Sequence, residues 1–181
     1  MKNLTTVIVC CLILFAVKAE AQKTEKNAMK FSSQYTNLNK DCKTFEGKNG
    51  TDDASDCRGI GGYRVNVSAA AAAVFITAQT PVEKDSILLA SQDLSFSQTK
   101  TKIEWRMSGG KPFAVIMRVA KYGETDEENP YFGKKTGEEL IVRGLKNYED
   151  IDFKVDAKTP NANLKARELA DNAYLEKANK K

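Results

Sequence analysis

The amino terminus is the feature that most constrains this chain. Lys2 supplies a positive charge, residues 7–17 form an apolar run, and Ala19-Glu20-Ala21 has the small-x-small pattern of a cleavage site. These features in this order are typical of a secretory signal peptide. We therefore predict that residues 1–21 are removed and that the rest folds in an oxidising compartment, either the periplasm or the extracellular medium.

The domain organisation follows from that cleavage. The apolar run is shorter than the roughly 20 residues that cross a bilayer, so we expect no stable membrane insertion once it is removed. We then predict a polar, mobile leader at 22–37 and a single β-rich domain at 38–181. A lipidated cysteine is the less favoured alternative, because Cys10 and Cys11 lack the small residues expected before such a cysteine.

Two cysteines remain after residue 21, Cys42 and Cys57. In an oxidising compartment the expected state is a disulfide between them. It would close a loop of about 15 residues and contribute roughly 3 kcal/mol to stability in the chain-entropy model. Two free thiols, or one reactive thiol, are the alternative.

Catalysis is constrained by the absence of histidine from the whole sequence. Ser-His-Asp triads, Cys-His pairs and histidine-ligated zinc are thereby excluded. The acidic stretches at 52–56 and 124–128 do not have EF-hand spacing, so we predict no metal and no cofactor. The net charge of +4 at pH 7 is spread among charges of mixed sign, and we therefore do not expect nucleic-acid binding.

Alternating polarity predicts strands over much of the chain. Apolar and polar residues alternate at 63–68, and the β-branched and aromatic residues at 74–79 also favour a strand. The five alanines between them, 69–73, favour helix by propensity, but we prefer a bend that joins two strands. A second hairpin is predicted at 139–155.

The clearest prediction is a β-hairpin at 102–121 around two glycines. With a three-residue loop, Gly109-Gly110-Lys111, Trp105 pairs with Val115, and Phe113 shares their apolar face. A two-residue loop would instead place Trp105 opposite Ala114. Matching apolar faces favour the first register, with Trp105 as a core anchor.

The carboxyl-terminal segment changes period. Residues 161–179 contain neither glycine nor proline, and their alanines recur at helical spacing. We predict an amphipathic helix packed on the sheet, with Asn161 as its N-cap. The predicted fold class is α+β: mainly antiparallel β, as a sheet or small sandwich, with this helix at its end.

One polar constellation stands out. Glu104 and Arg106 are two residues apart on a strand and therefore share a face. Arg118 is expected diagonally across the hairpin, and Arg167 and Asp171 on the helix extend the group. The functional interpretation is an anionic-ligand or acid-base site. We favour the structural interpretation, an ion-pair cluster covered by the helix.

Four segments together carry a resemblance. They are Cys42 with Cys57-Arg-Gly59-Ile-Gly-Gly62-Tyr63, Glu104-Trp105-Arg106, residues 111–118 and residues 161–171. In this order they resemble an uncharacterised family of small secreted bacterial proteins. The resemblance implies a shared fold and export, and it implies no activity. Members of that family carry a second cysteine pair near the carboxyl terminus, which this chain lacks.

The function that these observations predict is non-enzymatic. We expect a secreted or periplasmic domain that binds a protein or an envelope component. One alternative is a carboxylate-based hydrolase of an envelope polymer, which needs two carboxylates about 5–10 Å apart in one cleft, with Glu104 as one of them. Another alternative is an inhibitor of a secreted enzyme, presented by the loop between Cys42 and Cys57.

Overall fold

Two antiparallel sheets and one helix make up the described part of the chain. The structure is a computed structural model, and the residues it describes are 30–45, 54–70, 72–82, 85–97, 101–128 and 130–180. The predicted signal peptide, the first half of the predicted leader (22–29) and residues 46–53 lie outside them. The predicted fold class, mainly antiparallel β with a carboxyl-terminal helix, is confirmed.

Each sheet has five strands. Sheet A has the order β1 (Phe31–Asn37), β7 (Lys102–Ser108), β8 (Lys111–Tyr122), β9 (Lys135–Gly144) and β10 (Asp152–Asp156). Sheet B follows the chain, in the order β2 (Cys42–Phe45), β3 (Ala54–Arg58), β4 (Arg64–Ala70), β5 (Ala73–Gln79) and β6 (Ser86–Asp93). The alanine run is divided between β4 and β5, whose end residues Ala70 and Ala73 pair, as the predicted bend requires.

The domain begins earlier than the sequence indicated. Residues 31–37, assigned above to the leader, form β1 and pair along their whole length with β7. This strand is hard to recognise because its side chains do not alternate cleanly in polarity. It is held by backbone pairing and by Thr36, whose buried hydroxyl accepts a hydrogen bond from Trp105 Nε1 at 2.9 Å.

The β7–β8 hairpin has the predicted register, since Trp105 lies opposite Val115. The predicted loop length is wrong, because the turn has two residues, Gly109 and Gly110, with φ of 56° and 78°. Positive φ at both positions is the type I′ geometry that suits a two-residue hairpin. A β-bulge restores the register, and Phe113 is its unpaired residue.

Because of the bulge, the predicted position of Phe113 on the face of Trp105 and Val115 is wrong. Its side chain packs with Ala114 and Ile116 on the helix side of sheet A, whereas Val115 and Met117 face sheet B. An extra residue in one strand interrupts the alternation of side chains between the two faces of the sheet. From Phe113 to Met117, β8 therefore presents apolar side chains to both faces of sheet A.

The two sheets share one hydrophobic core. Trp105 is 0% exposed at its centre, and its ring lies 5.7 Å from that of Tyr63. Val65 and Ile76 of sheet B and Met117 of sheet A belong to the same cluster. Trp105 is thus the core anchor that the hairpin pattern predicted.

The helix, α1 (Ala162–Ala178), covers the other face of sheet A. Three buried alanines at a spacing of four, Ala162, Ala166 and Ala170, form its contact stripe. Asn161 occupies the N-cap position, but the capping prediction is wrong in mechanism. Its backbone is left-handed, with φ of 57°, and its side chain makes no capping hydrogen bond.

Replacement of Trp105 tests the core. We expect Trp105→Ala to lower the free energy of unfolding by about 3–5 kcal/mol, because it opens a large cavity and leaves the Thr36 hydroxyl without its indole partner. Urea denaturation measures the change. Tyr131→Ala, at an aromatic residue that is 71% exposed, should change it by less than about 0.5 kcal/mol. Equal effects would contradict the observed core.

Alkaline titration tests the attachment of the helix. Burial and the hydrogen bond with Tyr174 together raise the pKa of Tyr148 to about 12, against about 10 in an unfolded chain. Folding therefore favours the protonated phenol, and this stability is present below about pH 10 and lost toward about pH 12. We expect the melting temperature of Tyr148→Phe to fall less over this interval than that of the natural chain. Tyr131→Phe is the matched control and should keep the natural pH dependence.

Candidate functional site

The structure brings four of the five predicted polar residues together between β7 and α1. Arg106 binds Asp171 with two hydrogen bonds, Nε to Oδ1 at 3.1 Å and Nη2 to Oδ2 at 2.5 Å. Arg167 binds Glu104 in the same way, at 2.6 Å from Nε and 3.0 Å from Nη2. Paired bonds of this kind fix orientation as well as distance. We call Glu104, Arg106, Arg167 and Asp171 the ion cluster.

Ser33 of β1 completes the ion cluster. Its hydroxyl donates to Glu104 Oε1 at 2.5 Å and accepts from Arg106 Nη1 at 2.6 Å. This serine could not be predicted as a site residue, because it lies in the stretch that was assigned to the leader. One side chain therefore connects the edge strand to both ion pairs.

The two strand residues of the ion cluster lie out of water, and the two helix residues are partly exposed. Glu104 is 8% exposed and Arg106 is 6% exposed, and both are covered by α1. The hydrogen bond with Glu104 raises the pKa of Arg167 above its ordinary value, so this guanidinium stays charged. Both Glu104 oxygens are engaged by strong donors, which leaves this carboxylate poorly placed to serve as a base or as a metal ligand.

Arg118 does not join the ion cluster. It forms an exposed ion pair with Glu138 of β9, at 3.2 Å from Nη1 to Oε2. Arg118 nevertheless lines a groove of about 290 Å³ beside α1, which we call the helix groove. Its other polar lining residues are Tyr35, Lys102, Glu104, Asn163 and Arg167.

The predicted disulfide between Cys42 and Cys57 is confirmed. The two residues are direct partners in the β2–β3 pairing, and Cys57 is buried in the core between the sheets. The bond therefore joins neighbouring strands at the edge of sheet B. Residues 46–53, most of the loop that it closes, lie outside the described residues.

Beside the disulfide lies a larger groove of about 810 Å³. β1 contributes Gln34 and Tyr35 to its lining, and the β2–β3 hairpin contributes Lys43, Asp56 and Arg58. Most of the remainder comes from the loop at 59–63. We call it the edge groove. The edge groove could not be predicted from the sequence, because its walls come from separate strands that meet only when the sheets pack.

Glycines give the loop of the edge groove its shape. Gly61 and Gly62 have φ of 66° and 86°, a left-handed backbone conformation that glycine adopts without steric penalty. A Cβ at Gly61 would come within 2.7 Å of the Pro112 ring. The loop can therefore lie directly against the β7–β8 hairpin only with glycine at that position.

The edge groove carries three cations and two carboxylates. Arg64 pairs with Asp56, with Nε 2.9 Å from Oδ1. The carboxylate of Asp41 accepts the backbone amide of Asn37 at 2.6 Å. The other two cations, Lys43 and Arg58, are exposed and have no carboxylate partner among the residues that the structure describes.

Tyr35 lies where the two grooves meet. It lines both of them, its side chain is 53% exposed, and its hydroxyl accepts a hydrogen bond from Arg167 Nη2 at 3.3 Å. An aromatic ring with one apolar face and a polar tip is common where proteins bind other molecules. Tyr35 is therefore part of the candidate site.

The described residues contain no group of three or more cysteine, aspartate or glutamate side chains arranged to hold a metal ion. Among these same residues, no helix has the length and apolar character needed to span a membrane. Comparisons of the chain with protein-family models, with curated protein sequences and with solved structures found no match.

The ion cluster can be tested against the exposed pair. We expect Arg106→Met to lower the free energy of unfolding by about 3 kcal/mol, because it leaves the charge of Asp171 without its partner under the helix. The matched control Arg118→Met removes a guanidinium from an exposed pair and should cost less than about 1 kcal/mol. Urea denaturation of both variants measures the difference. A smaller loss in Arg106→Met than in Arg118→Met would show that the cluster does not hold α1 in place.

Proposed function

We propose that this protein is an exported, non-enzymatic binding domain, and that its edge groove takes an anionic group of a protein or an envelope component. The observation that carries the proposal is the pair of cations Lys43 and Arg58, which have no carboxylate partner in the described residues. Arg58 can bind a carboxylate or a phosphate in a bidentate manner, and Lys43 adds a second positive charge.

The disulfide gives these two cations a fixed spacing. Lys43 lies opposite Asp56 in the β2–β3 pairing, and Arg58 is two residues beyond Asp56. All three side chains therefore share the outer face of sheet B. Cys42 and Cys57 are the adjacent pair on the opposite face. A covalent bond between the strands reduces the ordering that binding would otherwise require.

The carboxylates near the grooves support binding rather than hydrolysis. Glu104 is bonded by Arg167 and Ser33. In the edge groove, Asp41 and Asp56 are held by a backbone amide and by Arg64. A carboxylate-based hydrolase needs one acid free to donate a proton and another free to act as base or nucleophile. The described parts of both grooves offer acids that are already committed to other partners.

Anion binding at the edge groove can be measured directly. The probe is a fluorescein-labelled polyglutamate peptide, titrated with the full-length, oxidised protein at low salt and followed by fluorescence anisotropy. We expect the double variant Lys43→Ala/Arg58→Ala to bind at least about tenfold more weakly, a loss of about 1.4 kcal/mol. We expect the affinity to fall because the variant lacks both cations that have no carboxylate partner in the described residues.

The control variant has the same change in net charge. Lys158→Ala/Lys165→Ala removes two exposed lysines that do not line the edge groove. It should bind the probe within about twofold of the natural chain, which corresponds to less than about 0.5 kcal/mol. If both double variants weaken binding equally, attraction by overall charge accounts for it and the edge groove is not the site.

A further inference from the structure

Among the residues that the structure describes, β1 is an edge strand of sheet A with no strand on its outer side. It pairs with β7 in an unbroken register over seven residues, and it is the first strand in the order of the sheet. Its sequence, FSSQYTN, has no charged residue and no proline. Natural sheets usually protect such edges with charges, prolines, bulges or short strands, because an open edge pairs readily with another chain.

The other three sheet edges do have such protection. β10 has charged side chains at three of its five positions, and β2 has only four residues. β6 is bulged where it pairs with β5, and it is tied to sheet A by a hydrogen bond from Ala120 N to Gln92 Oε1 at 2.8 Å. The open edge of β1 is therefore an exception within this fold.

The free length of β1 runs over residues 31–35. At the other end of the strand, Thr36 Oγ donates to the carbonyl of Arg58 at 3.0 Å, and Asn37 N donates to the side chain of Asp41. Within the described residues, no backbone hydrogen bond joins 31–35 to any strand except β7. With respect to the described part of the chain, five residues of this edge therefore remain open to pairing.

Positive charges flank this edge on both sides. The edge groove contributes Lys43 and Arg58. The helix groove contributes Lys102, whose side chain is exposed and has no carboxylate partner among the described residues. Gln34 and Tyr35 are successive residues of β1 and so point to opposite faces of the sheet. An added strand would also send its alternate side chains to both faces, toward both sets of cations.

We propose that an extended, acidic segment of a partner protein adds to sheet A as a further strand along β1. This inference rests on the proposed function, since the same edge groove receives the acidic side chains. In such complexes main-chain hydrogen bonds supply affinity, and flanking sites for alternate side chains supply specificity. A second copy of this chain is a poor occupant, because it would bring the same cations to the same edge.

The test separates backbone pairing from attraction of charge. Two fluorescein-labelled polyglutamate peptides of equal length are titrated with the full-length, oxidised protein, one natural and one N-methylated at every residue. The N-methylated peptide keeps its carboxylates but has no amide donors. We expect it to bind at least about tenfold more weakly, and we expect the natural peptide to slow hydrogen exchange of amides within residues 31–35.

Three results would overturn strand addition. One is equal affinity of the two peptides. A second is a polygalacturonate chain that binds as tightly as the natural peptide and leaves hydrogen exchange in β1 unchanged. A third is self-association in sedimentation experiments that itself protects the amides of β1. If binding of every probe still depends on Lys43 and Arg58, the proposed anion site stands without strand addition. If no probe depends on them, the proposed function fails as well.

Discussion

The burial of two opposite charges on β7 is the constraint on which the rest of the structure depends. Glu104 and Arg106 face α1, and a buried charge must be paired to be tolerated. Their partners, Arg167 and Asp171, are four residues apart on one side of the helix, which fixes both its rotation and its position along the sheet. Small alanines next to them permit the close approach that these short bonds require.

β7 also holds the edge strand β1 in place, through two hydroxyl groups that belong to β1. Ser33 reaches the ion cluster on the helix side, and Thr36 reaches Trp105 on the side of sheet B. β1 is therefore anchored to both layers without a charged residue of its own. That anchoring is what allows an edge to be well placed and open at once, and it puts Tyr35 at the junction of the two grooves.

Local patterns were enough to predict much of the fold. Period-two alternation gave the pairing of Trp105 with Val115, and the alanine spacing gave α1. β1 could not be predicted, because an edge strand is stabilised by its neighbour's backbone more than by its own side-chain pattern. The sites depend on tertiary contacts that local patterns do not show. Glu104 pairs with the helix as predicted, whereas Arg118 pairs with Glu138. The edge groove is lined by residues that share no sequence motif. The resemblance to a family of small secreted proteins stays a prediction.

The alanine stripe has a consequence for how this domain can change. Ala166 and Ala170 are fully buried and immediately precede Arg167 and Asp171 in the chain. A larger side chain at either position would push the helix outward and lengthen both salt bridges together. A substitution that changes only side-chain size would then weaken the salt bridges. The fold therefore requires small side chains at these two positions as strictly as it requires the charges beside them.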